Sequence, residues 1–205
     1  MPRKKPELLS PASDATCLKA ALDAGCDAVY VGLKDFSMRS AAANFSLPAL
    51  RRASALCRSR GVRLYLAVNT QVYQQELRRL DARLAAVAGL VDAVICWDPA
   101  VIEACRRHGI TIHISTQASV ANAAAARFYR GLGATRIVPA RECTLPELRR
   151  LRRQAGIEIE VFAHGAMCVS VSGRCYLSQD SYGKSGNRGE CRQNCRRPFR
   201  AICRS

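Results

Sequence analysis

Four thiols crowd into the segment from His164 to Arg197, "HGAMCVSVSGRCYLSQDSYGKSGNRGECRQNCRR". Cys168, Cys175, Cys191 and Cys195 are spaced C-x6-C-x15-C-x3-C, and Cys203 follows after seven more residues. Thiolates in such number bind zinc or an iron–sulfur cluster. Structural zinc sites favour two short knuckles, and only the second pair here approaches one. A cubane spreads its irons apart and tolerates irregular spacing. Gly173, Gly183, Gly186 and Gly189 allow backbone N–H groups close to inorganic sulfide, and the neighbouring arginines offset an anionic cluster. From spacing alone a cluster, a zinc ion and unligated or redox-active thiols all stay open.

The other cysteines read differently. The chain has 11 in all, and an odd number argues against a closed disulfide framework. Cys17, Cys26, Cys57, Cys96, Cys105 and Cys143 are scattered through helix and strand patterns, where a free cysteine packs as a small hydrophobe. Charge sharpens the contrast. Thirty-two Lys and Arg against 16 Asp and Glu give +16 over 205 residues, a balance that attracts polyanions, RNA above all. On helix faces such as "RRLRRQAG" the arginines also serve as a plain solvated surface. In the cysteine segment, where Arg188, Arg192, Arg196 and Arg197 alternate with Cys and Gly, they read as phosphate contacts. No apolar run approaches the roughly 20 residues of a membrane helix. The start, "MPRKKPELLSPASDA", has no apolar stretch behind its basic cluster, which predicts a cytoplasmic protein without a membrane partner.

These side chains must be held by something, and the chain supplies a regular frame. "LLSPA", "CDAVYVGL", "VRLYLAVNT", "VDAVICW", "ITIHIST", "TRIVPA" and "IEIEVFAHG" read as strands. Between them run helices such as "DATCLKAALDAG", N-capped by Asp14, and "LPALRRASALCRSRG", with Ser46 before it and Pro48 in its first turn. Strand and helix alternate about every 25 residues, with glycine closing nearly every helix, as in βαβ units on a parallel sheet. No glycine-rich nucleotide fingerprint follows the first strand. Polar residues instead recur where strands end: Ser10, Lys34, Asn69, Asp98, Ser115 to Gln117, Arg141, Glu142 and His164. A polar ring at one mouth predicts an α/β protein of the (β/α) TIM-barrel type, incomplete at about seven strands. Residues 1–167 form the barrel units and 168–205 a cysteine-rich basic segment.

"VFAHGAMCVSVSGRCYLS" resembles the signature of the collagenase-like peptidase family U32. The resemblance extends to "DAVYVGLKDFSMRSAAANFS", "HISTQASVANAAAARFYRGLGATRIVPAREC" and "GNRGECRQNCRRPF", covering about residues 7 to 199. It implies either a peptidase or an oxygen-independent hydroxylase of a tRNA or rRNA base or of a quinone precursor. The hydroxylases carry a [4Fe-4S] cluster and have prephenate implicated as oxygen source. On the matching motif Cys168, Cys175 and Cys191 fall on cluster positions, and Cys195 or a thiol further downstream supplies the fourth. Family members run longer, so the resemblance also implies either a fragment or a barrel lacking its last unit and any C-terminal domain, with an edge left open.

Tyr30, Lys34, Arg39 and Asn44 are placed in the loop after the second strand, Gln117 and Asn122 after the fifth, and Arg141 and Glu142 after the sixth. Amide and cationic side chains at a mouth suit a carboxylate-bearing co-substrate or a phosphate, and through the matching motifs they form the expected pocket. Arg141, Glu142 and His164 are the candidate catalytic groups. His164 also invites pairing with Cys168 as base and nucleophile, but an orienting Asp or Asn is not evident, and an iron-bound thiolate is no nucleophile. The leading expectation is hydroxylation of an RNA base with a [4Fe-4S] cluster and an electron donor. The alternatives are a peptidase acting on collagen-like chains and a non-catalytic, metal-stabilised RNA-binding module.

Overall fold

Short apolar runs rich in Val, Ile, Leu and Ala form strands buried on both faces, and the segments between them close into helices. A computed structural model describes residues 5–38, 44–165, 167–171 and 174–200. The elements alternate as β1 (Leu9–Pro11), α1 (Ala15–Asp23), β2 (Ala28–Gly32), α2 (Leu47–Ser59), β3 (Arg63–Ala67), α3 (Leu77–Val87) and β4 (Ala93–Cys96). They continue as α4 (Pro99–Arg107), β5 (Ile112–Ile114), α5 (Ala123–Gly131), β6 (Ala134–Ile137), α6 (Leu145–Ala155), β7 (Glu158–Ile159) and α7 (Leu177–Tyr182). All seven strands are parallel and lie in chain order. The expected caps form: Asp14 accepts the Cys17 N–H at 2.8 Å and Ser46 the Ala49 N–H at 3.4 Å.

The two faces of the sheet diverge in chemistry. Val29, Val31, Leu64, Leu66, Val94, Ile112, Ile114 and Ile137 point outward and pack under Leu50, Leu80, Leu84, Val101, Ala126 and Leu151 of the helices. Burial of such side chains, about 1.5–3 kcal/mol each, holds helices to sheet. Cys26, Cys57, Cys96 and Cys105 lie in this layer as the pattern predicts, and burial pushes the Cys57 thiol up to about 11. Inward, Ala28, Tyr65, Ala93 and Ile95 form a smaller cluster with Leu9 and Tyr30.

Below that cluster, at the strands' N-terminal ends, the interior is charged. Arg136, 3 % exposed, reaches Glu7 at 2.7 Å, Glu158 at 3.0 Å and Glu160 at 3.2 Å. Glu7 also accepts the Tyr65 hydroxyl at 3.1 Å and pairs with Arg63. Glu7 stands just before β1 and Arg136 on β6, so their contact records the curl of the sheet into an incomplete barrel. Among the described residues β1 and β7 are not paired.

Two expectations change. The seventh strand is only Glu158–Ile159, with the Glu160 N–H still donating to the Ile137 carbonyl at 3.0 Å before the chain leaves the sheet. Tyr30 sits within β2 and against the inner cluster, not in the loop after it. His113, 4 % exposed, stacks edge-on against Tyr65 at 4.8 Å inside the barrel. Burial, with Arg136 and Arg63 nearby, holds its imidazole down to about 3, and its Nδ1 has no hydrogen-bond partner among the described residues.

Candidate functional site

At the C-terminal ends of the strands the loops are stitched to one another. Phe36, after β2, adopts a left-handed backbone with φ of 62°, a conformation unusual for a bulky residue. Its carbonyl accepts the N–H groups of Asn69 at 3.0 Å and Thr70 at 3.4 Å, and Arg79 covers its ring at 5.0 Å. Asn69 accepts the Met38 N–H at 3.0 Å through its side chain, and its carbonyl accepts the Trp97 indole N–H at 2.8 Å. Gln117 joins Asn69 as well, at 3.3 Å from Nε2 to the backbone carbonyl, and its Oε1 accepts the Ser115 hydroxyl. Asp98 both caps α4, at 2.9 Å to the Ala100 N–H, and takes the Val72 N–H at 2.9 Å. Four strand ends are thereby held as one rim.

The cysteine segment folds back onto this rim. Arg188 makes a two-pronged pair with Glu76, at 2.7 and 2.8 Å, and lies over the Tyr73 ring at 4.4 Å. It also bonds the Gln71 carbonyl, and the Gln71 N–H donates to the Asn187 carbonyl at 3.3 Å. The hydrogen bond from Arg188 is the main cause holding the Glu76 carboxyl below its usual range. Next to it Gly189, with φ of 88°, passes so close to the Ser37 carbonyl that any side chain would collide. Glycine is required there by both the turn and the approach.

Of the four thiols, Cys175 is half-buried while Cys168, Cys191 and Cys195 are exposed. Gly186 lies between two of them: a Cβ there would stand 3.6 Å from the Cys175 carbonyl oxygen and 3.7 Å from the Cys191 Cβ. Cys191 Sγ accepts the Gln193 N–H at 3.4 Å, the kind of contact that favours a thiolate. This donor set fits a thiolate-held group in its chemistry, and the fold brings the Cys175 backbone and the Cys191 side chain up against Gly186. Among the described residues no three His, Cys, Asp or Glu side chains are gathered as a metal site.

The remaining candidates divide. Lys34 lines a cleft of about 350 Å³ with Asp35, Ser37, Thr70, Glu76, Arg79 and Arg188, and Gln117 lines a second of about 300 Å³ with Trp97 and Tyr176. Asn44 follows Lys34 on the same loop, with φ of 41°, and Arg39 falls outside the described residues. Asn122 is a helix cap: its Oδ1 accepts the Ala125 N–H at 2.9 Å at the start of α5. Arg141 lies over the Phe162 ring at 5.7 Å, with Glu142 and His164 exposed at the ends of β6 and β7. Arg188, expected on phosphate, is committed to Glu76 instead. Arg192 and Arg196 are exposed, and Arg197 lies over Tyr182 at 5.4 Å.

Glu76, Tyr73, Trp97 and Tyr176 went unremarked in the sequence. Glu76 reads as an ordinary first-turn acid before α3, and its partner is 112 residues away, a distance no local pattern spans. Trp97 carried a usable signal, as the chain's 1 tryptophan at the end of a strand.

The sequence profile of peptidase family U32 matches residues 13–205. The chain is 38% identical over 196 residues to the tRNA hydroxylation protein P1 of Bacillus subtilis, covering 94% of this chain and 46% of that protein. It is 36% identical to a collagenase of Porphyromonas gingivalis, over 94% of this chain and 50% of the other. To the 23S rRNA 5-hydroxycytidine C2501 synthase of Escherichia coli it is 38% identical, over 94% and 29%. The chain therefore spans half or less of the length of these relatives. A solved structure of a U32 peptidase superposes with a TM-score of 0.64 at 17% identity, covering 78% of this chain and 70% of the other, which shows the shared fold.

Proposed function

We propose, starting from the fact that the chain belongs to peptidase family U32, that it serves in the hydroxylation of an RNA base. The observation that carries this reading is the thiol- and arginine-bearing segment clamped across the barrel mouth by Arg188 and Glu76. The segment belongs to a chain similar over nearly its whole length to a tRNA hydroxylation protein and an rRNA hydroxycytidine synthase. Barrel enzymes work at this mouth. Cys168, Cys175, Cys191 and Cys195 would hold a [4Fe-4S] cluster, which when bound supplies one-electron chemistry. Lys34 and Arg79, lining the larger cleft, would hold the carboxylates of a co-substrate such as prephenate. Arg192, Arg196 and Arg197 would take phosphate. Glu142 and His164, exposed in the segments after β6 and β7, would exchange protons with a bound base, and Arg141 would steady the developing charge. An external electron donor and a cytoplasmic setting complete the reading, and no described helix is long and apolar enough to cross a membrane.

Nucleoside mass spectrometry of RNA from cells with and without this chain tests it. The reading predicts a pyrimidine nucleoside bearing one added oxygen that disappears with the chain and with Cys175→Ala. An unchanged nucleoside profile contradicts it. Similarity to a named collagenase favours a second reading, proteolysis. Cleavage of a collagen-like peptide that survives Cys175→Ala would support that one.

A further inference from the structure

The smaller cleft, about 300 Å³, lies between the ends of β4 and β5 and the cysteine segment. Its lining combines three aromatic rings, Trp97, Tyr129 and Tyr176, three carboxamides, Gln71, Gln117 and Asn187, and one cation, Arg174. We propose that this cleft receives a single unstacked base of the RNA, with the adjoining phosphate on Arg174. The assignment rests on the RNA-hydroxylation reading and names the place where the base is held.

Single-stranded RNA is recognised by splaying out a base, stacking it on aromatic rings and bonding its edge. The lining is prepared for this. Trp97 cannot swing away, because its indole N–H is anchored on the Asn69 carbonyl at 2.8 Å. Gln117 is oriented too: its Oε1 accepts the Ser115 hydroxyl and, at 3.5 Å, the Asn69 amide, while its Nε2 gives one hydrogen to the Asn69 carbonyl. A carboxamide has two N–H groups, so Gln117 keeps one donor for a base carbonyl. The backbone of Asn187, a residue 7 % exposed, is set in place by the bond from the Gln71 N–H to its main-chain carbonyl at 3.3 Å. Tyr176, 70 % exposed, supplies a ring at the rim. A peptide would ask instead for an extended groove or open strand edge, whereas this cleft is compact. Position adds to chemistry, since Arg174 and Tyr176 flank Cys175. A base seated here lies beside the thiols assigned to the cluster.

Trp97 is the chain's 1 tryptophan, so its emission reports this cleft alone. The full chain is titrated with a single-stranded oligonucleotide of uridine and cytidine, following anisotropy of a labelled copy in parallel with Trp97 emission. The proposal predicts quenching of Trp97 with the same midpoint as the anisotropy change. Tyr176→Ala should weaken binding roughly 5- to 100-fold, the range for loss of one stacking ring, and Tyr176→Phe should restore it. The ring is exposed, so the variants are expected to fold, and an unaltered far-UV circular dichroism spectrum of the free protein checks this. Binding seen by anisotropy with Trp97 unperturbed overturns the pocket and leaves the RNA reading standing. Absence of binding overturns both.

Discussion

The floor and the mouth of the barrel both carry arginine and carboxylate, yet they are built on opposite terms. At the floor Arg136 is 3 % exposed and surrounded by Glu7, Glu158 and Glu160, with the Tyr65 hydroxyl on Glu7. The described charges there face one another. At the mouth one pair, Arg188 and Glu76, fastens the cysteine segment, while three thiols, an aromatic rim and the arginines beyond Arg188 face solvent. The floor spends its polar groups on closing the fold, and the mouth leaves them available. A barrel whose sheet is not closed between β1 and β7 among the described residues needs such a plug, because Glu7 and Arg136 link its first and sixth strands across the interior.

The contrast can be broken from the floor. Arg136→Met should cost up to about 3–5 kcal/mol, because it leaves the half-buried Glu7 and Glu160 carboxylates without their buried partner. A urea-unfolding midpoint unchanged by the substitution would show that the floor does not hold the barrel. Acid tests the same region more gently. The folded His113 imidazole titrates at about 3 against an ordinary 6.5. Between those values the unfolded chain binds the extra proton, so this group's contribution is complete above pH 6.5 and is lost as pH falls. Each unit of that window is worth at most roughly 1.4 kcal/mol. Glu160 works the other way, since burial raises its carboxyl pKa and its contribution is lost as pH rises through that value. The His113 effect is therefore read between pH 6.5 and 4.5, above the ordinary carboxylate range. There His113→Leu should flatten the fall in stability by about 2–3 kcal/mol over the two units. An identical pH profile in the variant would place the imidazole in water.

The mouth should respond locally. Arg188→Ala removes a charge-assisted, two-pronged bond worth about 1.5–3 kcal/mol, with proteolysis entering the 164–200 segment before the barrel. In the same region Glu76 has a lowered pKa, so the clamp is whole above pH 4.5 and loosens as pH falls through the folded value. Cleavage beginning in the barrel helices would contradict a clamp of this kind. The smallest stability effect belongs to Arg192, Arg196 and Arg197. Their joint replacement by Ala should change stability by under about 0.5 kcal/mol while lowering the salt slope of RNA binding by about 2–3. An unchanged slope would tie these arginines to the segment's own structure.

The outer layer was legible because burial imposes a period on it. The Val29–Val31, Leu64–Leu66 and Ile112–Ile114 alternations named the strands, and Asp14 and Ser46 marked helix starts. The polar ring of strand ends was partly legible: Asn69 and Gln117 bond each other at the mouth, while Lys34 lines a separate cleft beside them. What escaped were contacts set by curl rather than by period. Glu7 with Arg136 spans 129 residues and Arg188 with Glu76 spans 112, so each partner looked like an ordinary surface charge. Asn122 failed in the other direction, since an Asn before an alanine-rich run caps a helix as readily as it lines a pocket.

Metal analysis of anaerobically purified protein tests the central claim, that the mouth thiols hold a cluster and the packed ones do not. About four irons and four acid-labile sulfides per chain are predicted, lost in Cys168→Ala and Cys175→Ala and retained in Cys57→Ala, whose thiol is buried under the helices. Stoichiometric zinc without sulfide, or iron that survives removal of Cys168 and Cys175, would contradict it.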